Sequence, residues 1–137
     1  MKKLIILLLI VINIYSADFS RDGVAGVVTD HSTNLMWYDG ANISMSWSAV
    51  ITHCENLDLG SYTDWRLPNI NELRSILDRN RTPRIDPIFL NAVSQSYWSA
   101  TTYTGLTYYA RNVAFSSGQV DAANKSYSNY VRCVRDE

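Results

Sequence analysis

The chain has 137 residues, with 12 Lys and Arg against 13 Asp and Glu and a net charge of −1. That length bounds it to about one domain with a single core, and the charge balance excludes the basic face that a nucleic-acid binder presents to phosphates. Four Trp and nine Tyr favour a β-rich domain with amphipathic side chains at its surface.

The chain opens with Lys2 and Lys3, then an apolar run from Leu4 to Ile14 broken only by Asn13, then small residues at Ser16 and Ala17. That is the layout of a secretory signal peptide, read here as residues 1–17 with cleavage after Ser16 or Ala17. An uncleaved anchor is the alternative, although the run is shorter than the ~20 apolar residues that span a bilayer. No Cys follows the run, so a lipid-modified N-terminus is not expected. The domain then occupies residues 18–137, with no membrane span of its own, and is expected to be exported to the periplasm, the cell surface or the medium. Without Lys2 and Lys3 its balance is 10 basic to 13 acidic residues.

Phe19 to Gly23 reads as a polar lead-in. Val24 to Thr29 and Leu35 to Tyr38 are strand-like, and Asp30 to Asn34 between them is turn chemistry, so a β-hairpin is predicted. Asp39 to Asn42 is a loop. Ser44 or Ser46 caps a first helix, on which Trp47, Val50, Ile51, Cys54 and Leu57 share one face, and Gly60 is placed to end it. The stretch from Asp64 to Leu77 is the densest local signal. Pro68 holds Leu67 extended, Asn69 is a cap with Glu72 three residues on, and Ile70, Leu73, Ile76 and Leu77 follow at helical spacing. This second helix is expected to end near Arg79 and Asn80. Residues 81–87 form a loop with two prolines, and Ile88 to Leu90 a pinned turn.

From Ser96 the pattern is all β. Tyr97 to Thr101 is a strand, Gly105 marks a turn, and Tyr108 to Phe115 alternates, with Tyr109, Arg111, Val113 and Phe115 facing one way. A tight turn at 116–118, a strand at 119–122, a polar loop at 124–129 and a last strand at 130–135 complete the chain. Hairpin, two helices and meander together predict an α+β fold, two helices on a mainly antiparallel sheet. If the last strand pairs beside the first, the termini lie together.

Cys54 and Cys133 are the two cysteines. In an exported chain an even count points to a disulfide. The alternative is a metal-binding or catalytic role for the thiols. His53 precedes Cys54, but consecutive helical positions point about 100° apart, which does not favour a Cys–His pair. No HExxH, GxSxG or phosphate-cradling Gly loop is present, so neither catalysis nor a cofactor is expected. Calcium-dependent sugar binding is not favoured either. Pro68 is followed by Asn69 but preceded by Leu67, no Trp-Asn-Asp run occurs, and Asn69 already has a capping role.

Arg74, Arg79, Arg81 and Arg84 form a basic cluster, which suits either an acidic ligand or a solvated helix end. Tyr103, Tyr108, Asn124, Tyr127 and Asn129 lie in or beside the late loops and are the candidate ligand-binding residues. Tyr with Asn is the chemistry of adaptable recognition surfaces, and tyrosine rings stack on sugars. The alternative is that they only cover the sheet. Trp37, Trp65 and Trp98 are assigned to the core, and Asp64 and Arg66 to a structural pair or turn contacts.

Four blocks carry a resemblance: Gly26 to Asp30 with Asn34 to Trp37, Asp64 to Pro68 with Glu72 and Leu73, Tyr97 to Thr101, and Val131 to Arg135. Their content and order resemble the Lcl C-terminal domain family, an exported bacterial domain of largely unknown function. The resemblance implies a C-type-lectin-like fold in which Cys54 on the first helix and Cys133 on the last strand form a long-range bridge. The family's named member is a collagen-like adhesin that binds sulfated polysaccharides. Here there is no Gly-X-Y tract, so no collagen stalk is implied, and the lack of a basic excess weakens polyanion binding. The expected function is a non-enzymatic binding module for a polysaccharide or protein at the cell envelope or surface. A structural subunit of an envelope assembly, with no soluble ligand, is the alternative.

Overall fold

The computed structural model describes residues 19–21 and 24–137, and the expected leader at 1–17 lies outside them. The elements are β1 (Phe19–Ser20), β2 (Val27–Asp30), β3 (Leu35–Tyr38), β4 (Ser44–Met45), α1 (Trp47–Glu55), α2 (Ile70–Ser75), β5 (Ser96–Thr102), β6 (Tyr109–Ala114), β7 (Gln119–Asn124), β8 (Asn129–Tyr130) and β9 (Val134–Asp136). The fold is α+β, but the strands form two sheets rather than one, ordered β1-β2-β3-β9 and β4-β8-β5-β6-β7. Pairing is antiparallel except where β8 runs parallel to β5.

The predicted hairpin is β2–β3, with Val28 opposite Trp37. Asp30 builds its turn, since its carboxylate accepts from Ser32 N at 3.0 Å, Ser32 Oγ at 2.6 Å and Thr33 Oγ1 at 2.7 Å. That local bonding, with Asn34 at φ 55°, reverses the chain. The lead-in contributes a short strand after all, because Phe19 and Ser20 pair with Asp30 and Thr29. The last strand joins β3 and not the first predicted strand, β2, and β1 and β9 are opposite edges of this sheet.

The expected strand at 130–135 is divided. β8 belongs to one sheet and β9 to the other, and residues 131–133 cross between them. Arg132 explains the division. A continuous strand would point it away from the neighbours of Val131 and Cys133, whereas the crossing encloses it at 3% exposure against Asp39. Asp39 Oδ1 accepts from Arg132 Nη1 at 2.7 Å and Asn91 N at 3.2 Å; Oδ2 accepts from Leu90 N at 2.8 Å and from Arg21 Nη2. The loop before β5 is therefore pinned to a buried carboxylate. Burial pushes the Arg132 guanidinium below its ordinary pKa, but arginine titrates so far above neutrality that it stays charged.

Helix α1 starts after Ser46, whose side chain makes no cap bond, and buries Val50 and Cys54 one turn apart. Its C-cap is Asn56, not Gly60. Gly60 and Ser61, at φ 66° and 67°, instead form a two-residue turn that closes a bridge between Leu59 and Tyr62. Two positive φ values in succession are the type I′ requirement. Helix α2 has the predicted capping box, with Glu72 N donating to Asn69 Oδ1 and Asn69 N to Glu72 Oε1, each at 2.9 Å. It is shorter than expected and stops at Ser75. Leu77 leaves the helix to bridge with Ile85, and Asp78 N donates to Arg84 O at 2.7 Å.

The core has two clusters. One gathers Trp37, Leu73, Tyr97, Val113 and Phe115, the other Val50, Cys54, Trp65, Trp98 and Cys133. Trp37, Trp65 and Trp98 are thus in the core, as assigned. Cys54 and Cys133 form the disulfide, with Cα atoms 5.5 Å apart, fastening α1 to the crossing segment. Asp64 and Arg66 do not pair with each other. Asp64 accepts from Arg135 Nε at 2.7 Å, whereas Arg66 grips both Glu72 oxygens at 2.7 Å and reaches Asp136 at 2.9 Å.

Candidate functional site

Two loops meet at one end of the second sheet. The β5–β6 loop closes on itself, with Tyr103 N donating to Tyr109 O at 2.9 Å and Tyr109 N to Leu106 O at 2.9 Å. Gly105 lies beneath the Tyr103 ring, and a Cβ there would come within 3.2 Å of Cε1. Lys125, which follows β7, ties this loop to the next. Its backbone N donates to Tyr108 O at 2.9 Å, and its Nζ donates to Thr102 Oγ1 at 2.9 Å and Thr107 O at 2.8 Å. The same Nζ stands 4.0 Å from the centre of the Trp47 ring, a cation–π contact. Trp47 in turn donates from Nε1 to Ser99 O at 2.9 Å. A lysine in a polar loop therefore acts as a clamp between α1, β5 and both loops.

Held this way, the two joined loops expose Tyr103, Leu106, Tyr108 (57% exposed) and Tyr127 (63%). Leu90 is the other large exposed apolar side chain among the described residues. Beside them is a cleft of about 390 Å³ with Tyr103, Leu106 and Tyr109 at the loop side, Arg111 in β6, and Val120, Asp121 and Ala122 in β7.

Arg111 is unlike the other arginines. It shares a sheet face with Val113 and Phe115, which are buried in the core, but lies nearer the loop and is half-buried. Among the described residues its guanidinium has no hydrogen-bond or ion-pair partner, and its Nε is buried without one. The remaining buried or half-buried arginines all have acceptors. Arg21 and Arg132 hold Asp39, Arg66 holds Glu72, Arg135 holds Asp64, and Arg84 donates to Ser116 O.

The expected ligand residues divide. Tyr103 lines the cleft. Tyr108 packs edge-on against Tyr109, ring centres 5.1 Å apart, and is exposed at the same end with Tyr127. The asparagines do not join them. Asn124 Oδ1 accepts from Ser126 N at 2.9 Å and Ser126 Oγ at 2.8 Å and so builds the turn. Asn129 is paired with Met45 in β8, its Nδ2 buried. Sequence reasoning missed Leu106, Tyr109, Arg111 and Lys125 as site residues. The signal for Arg111 was present, since a guanidinium stood on the apolar side of an alternating strand.

The basic cluster is largely absorbed by the fold. Arg79 Nη2 donates to Gly118 O at 3.1 Å, Arg84 to Ser116 O and Arg79 O, and Arg81 to Asp78 at 2.7 Å. Arg74 stays exposed. Around this loop are two further clefts, one of about 350 Å³ beside Phe19 and Arg79 and one of about 500 Å³ beside Phe89 and Leu90. The disulfide leaves no thiol beside His53. Among the described residues no three His, Cys, Asp or Glu side chains converge as metal ligands, and no helix is long and apolar enough to cross a membrane.

No curated protein matches the chain. The family model described as the Lcl C-terminal domain matches residues 26–135, from the first hairpin through β9, and the chain belongs to that family.

Proposed function

We propose that this domain is an exported, non-enzymatic binding module with a C-type-lectin-like fold, and that it holds a polysaccharide on the tyrosine-rich end of its second sheet. The observation that carries the reading is the group of exposed Tyr103, Leu106, Tyr108 and Tyr127 on two loops clamped by Lys125, beside a cleft of about 390 Å³. A surface apolar cluster of this kind, held rigid, is what stacking on sugar rings requires, and the phenolic hydroxyls supply hydrogen bonds. The cleft volume falls in the range of about 300–1,000 Å³ usual for ligand sites. Export is supported by the Cys54–Cys133 bridge, which persists in oxidising compartments. The fold reading is supported by two helices and a bridge from the first helix to the C-terminal segment.

A glycan array with wild-type protein and Tyr103→Ala, followed by titration calorimetry of the hits, tests this. Binding lost in Tyr103→Ala is expected; an array blank for the folded wild type refutes the reading. A second reading, a structural subunit docked to an envelope protein, is favoured by Leu90, which is 72% exposed beside the cleft of about 500 Å³. It predicts a stable complex on co-purification from envelope extract that Leu90→Glu abolishes.

A further inference from the structure

We propose that Arg111 is the anchor for a carboxylate, so that the saccharide bound in this cleft is an acidic one carrying uronate-type carboxyl groups. The inference rests on the saccharide reading above and names the class of sugar. Its basis is the guanidinium in the cleft wall. Arg111 is half-buried, its Nε is cut off from water, and no described residue accepts from it. A partly desolvated charge without a partner is costly unless an opposite charge meets it. Every other buried or half-buried arginine in the described residues has an acceptor for at least one guanidinium nitrogen, a carboxylate for Arg21, Arg66, Arg132 and Arg135 and the carbonyls of Ser116 and Arg79 for Arg84, so among them Arg111 is the one left with none.

The acceptor that fits a guanidinium best is planar, with two oxygens matching its fork. A carboxylate on a sugar ring meets that demand while Tyr103, Leu106 and Tyr109 cover the ring's apolar face. Asp121 at the same cleft does not take this place. It forms no ion pair with Arg111, and its Oδ1 accepts from Ala122 N at 2.8 Å. A densely sulfated chain is a poorer fit. Arg111 is the one cation among the cleft's lining residues, Asp121 lines it too, and Arg79, Arg81 and Arg84 are not part of it.

The test uses a panel of uronate oligosaccharides, their neutral methyl esters, and dextran sulfate, titrated into wild type, Arg111→Gln, Arg111→Lys and Tyr103→Ala. The Arg111 side chain makes no hydrogen bond within the described residues, so Arg111→Gln is expected to fold, which its melting curve checks. The expected result is at least one acid bound at least tenfold more tightly than its ester, the size of a charge-assisted hydrogen bond. Arg111→Gln should bring the acid down to the level of the ester without weakening the ester itself, and Arg111→Lys should recover only part of the loss. The Nε–Hε resonance of Arg111, assigned by its absence in Arg111→Gln, should shift with glucuronate and not with its methyl ester. Acid and ester bound equally, both lost in Tyr103→Ala and both kept in Arg111→Gln, would overturn the carboxylate anchor while leaving the saccharide site standing. Dextran sulfate binding more tightly than any uronate would also overturn it. No binding of any saccharide to folded wild type would remove both.

Discussion

Replacing Asp39 by Ala tests the buried polar junction of the fold. Its carboxylate takes Arg132, Arg21 and the amides of Leu90 and Asn91. Without it Arg132, 3% exposed, keeps long contacts to Tyr38 O at 3.3 Å and Asn91 O at 3.5 Å, and the Phe89 and Tyr97 rings at 4.9 and 5.6 Å. None of these is a counter-charge. Breaking a buried pair by removing one partner costs about 3–5 kcal/mol. Domains of this size are stable by about 5–15 kcal/mol, so Asp39→Ala should sit near the edge of folding. Urea unfolding without reductant, followed by tryptophan fluorescence, measures the loss. Hydrogen exchange at Leu90 and Asn91 should rise in parallel, because those amides lose their acceptor. The double variant Asp39→Ala/Arg132→Met should recover most of the stability, since it removes the stranded charge as well. A loss below about 1 kcal/mol, or a double variant no more stable than Asp39→Ala, refutes the reasoning.

Four further outcomes are expected. The hydrogen bond from Arg66 holds the Glu72 carboxyl below its ordinary value of 4.5. Its stabilising contribution is therefore complete above that pH and is lost as pH falls through the folded value; Glu72→Gln should flatten the acid limb of the stability curve. Replacing Cys54 and Cys133 by Ala opens a loop with a sequence separation of 79 and should cost about 4.5 kcal/mol in the chain-entropy account, read by denaturant titration. Lys125→Met removes two hydrogen bonds and the contact with Trp47; it should cost about 1–2 kcal/mol and speed amide exchange across residues 103–107. Gly105→Ala brings a methyl to 3.2 Å from the Tyr103 ring, so it should change saccharide affinity while the melting temperature stays nearly constant.

Local devices were legible in the sequence because their causes are local. The capping box of Asn69 and Glu72 depends on residues three apart, and the Asp30 turn on residues two and three apart. The alternation of β6 is a property of the strand itself, and Val113 and Phe115 are buried as that pattern requires. The end of α2 was misread because helical spacing continues to Leu77, while the bridge from Leu77 to Ile85 depends on a loop that doubles back. The two exposed loops were also legible by composition, but not which of their residues face outward. Asn124 and Asn129 look like ligand chemistry and instead serve the turn and the short strand.

By itself the sequence determined the α+β class, the tryptophan core, the pairing available to Cys54 and Cys133, and the family. Each of these follows from composition, from short-range periodicity or from the blocks of residues it contains. The tertiary structure alone decided that the last strand divides between two sheets, that Asp39 and Arg132 meet across a separation of 93 residues, and that Arg111 is left without a partner beside Tyr103. Whether a charge finds its counter-charge depends on distances through space, and those are set only when helices and sheets have packed.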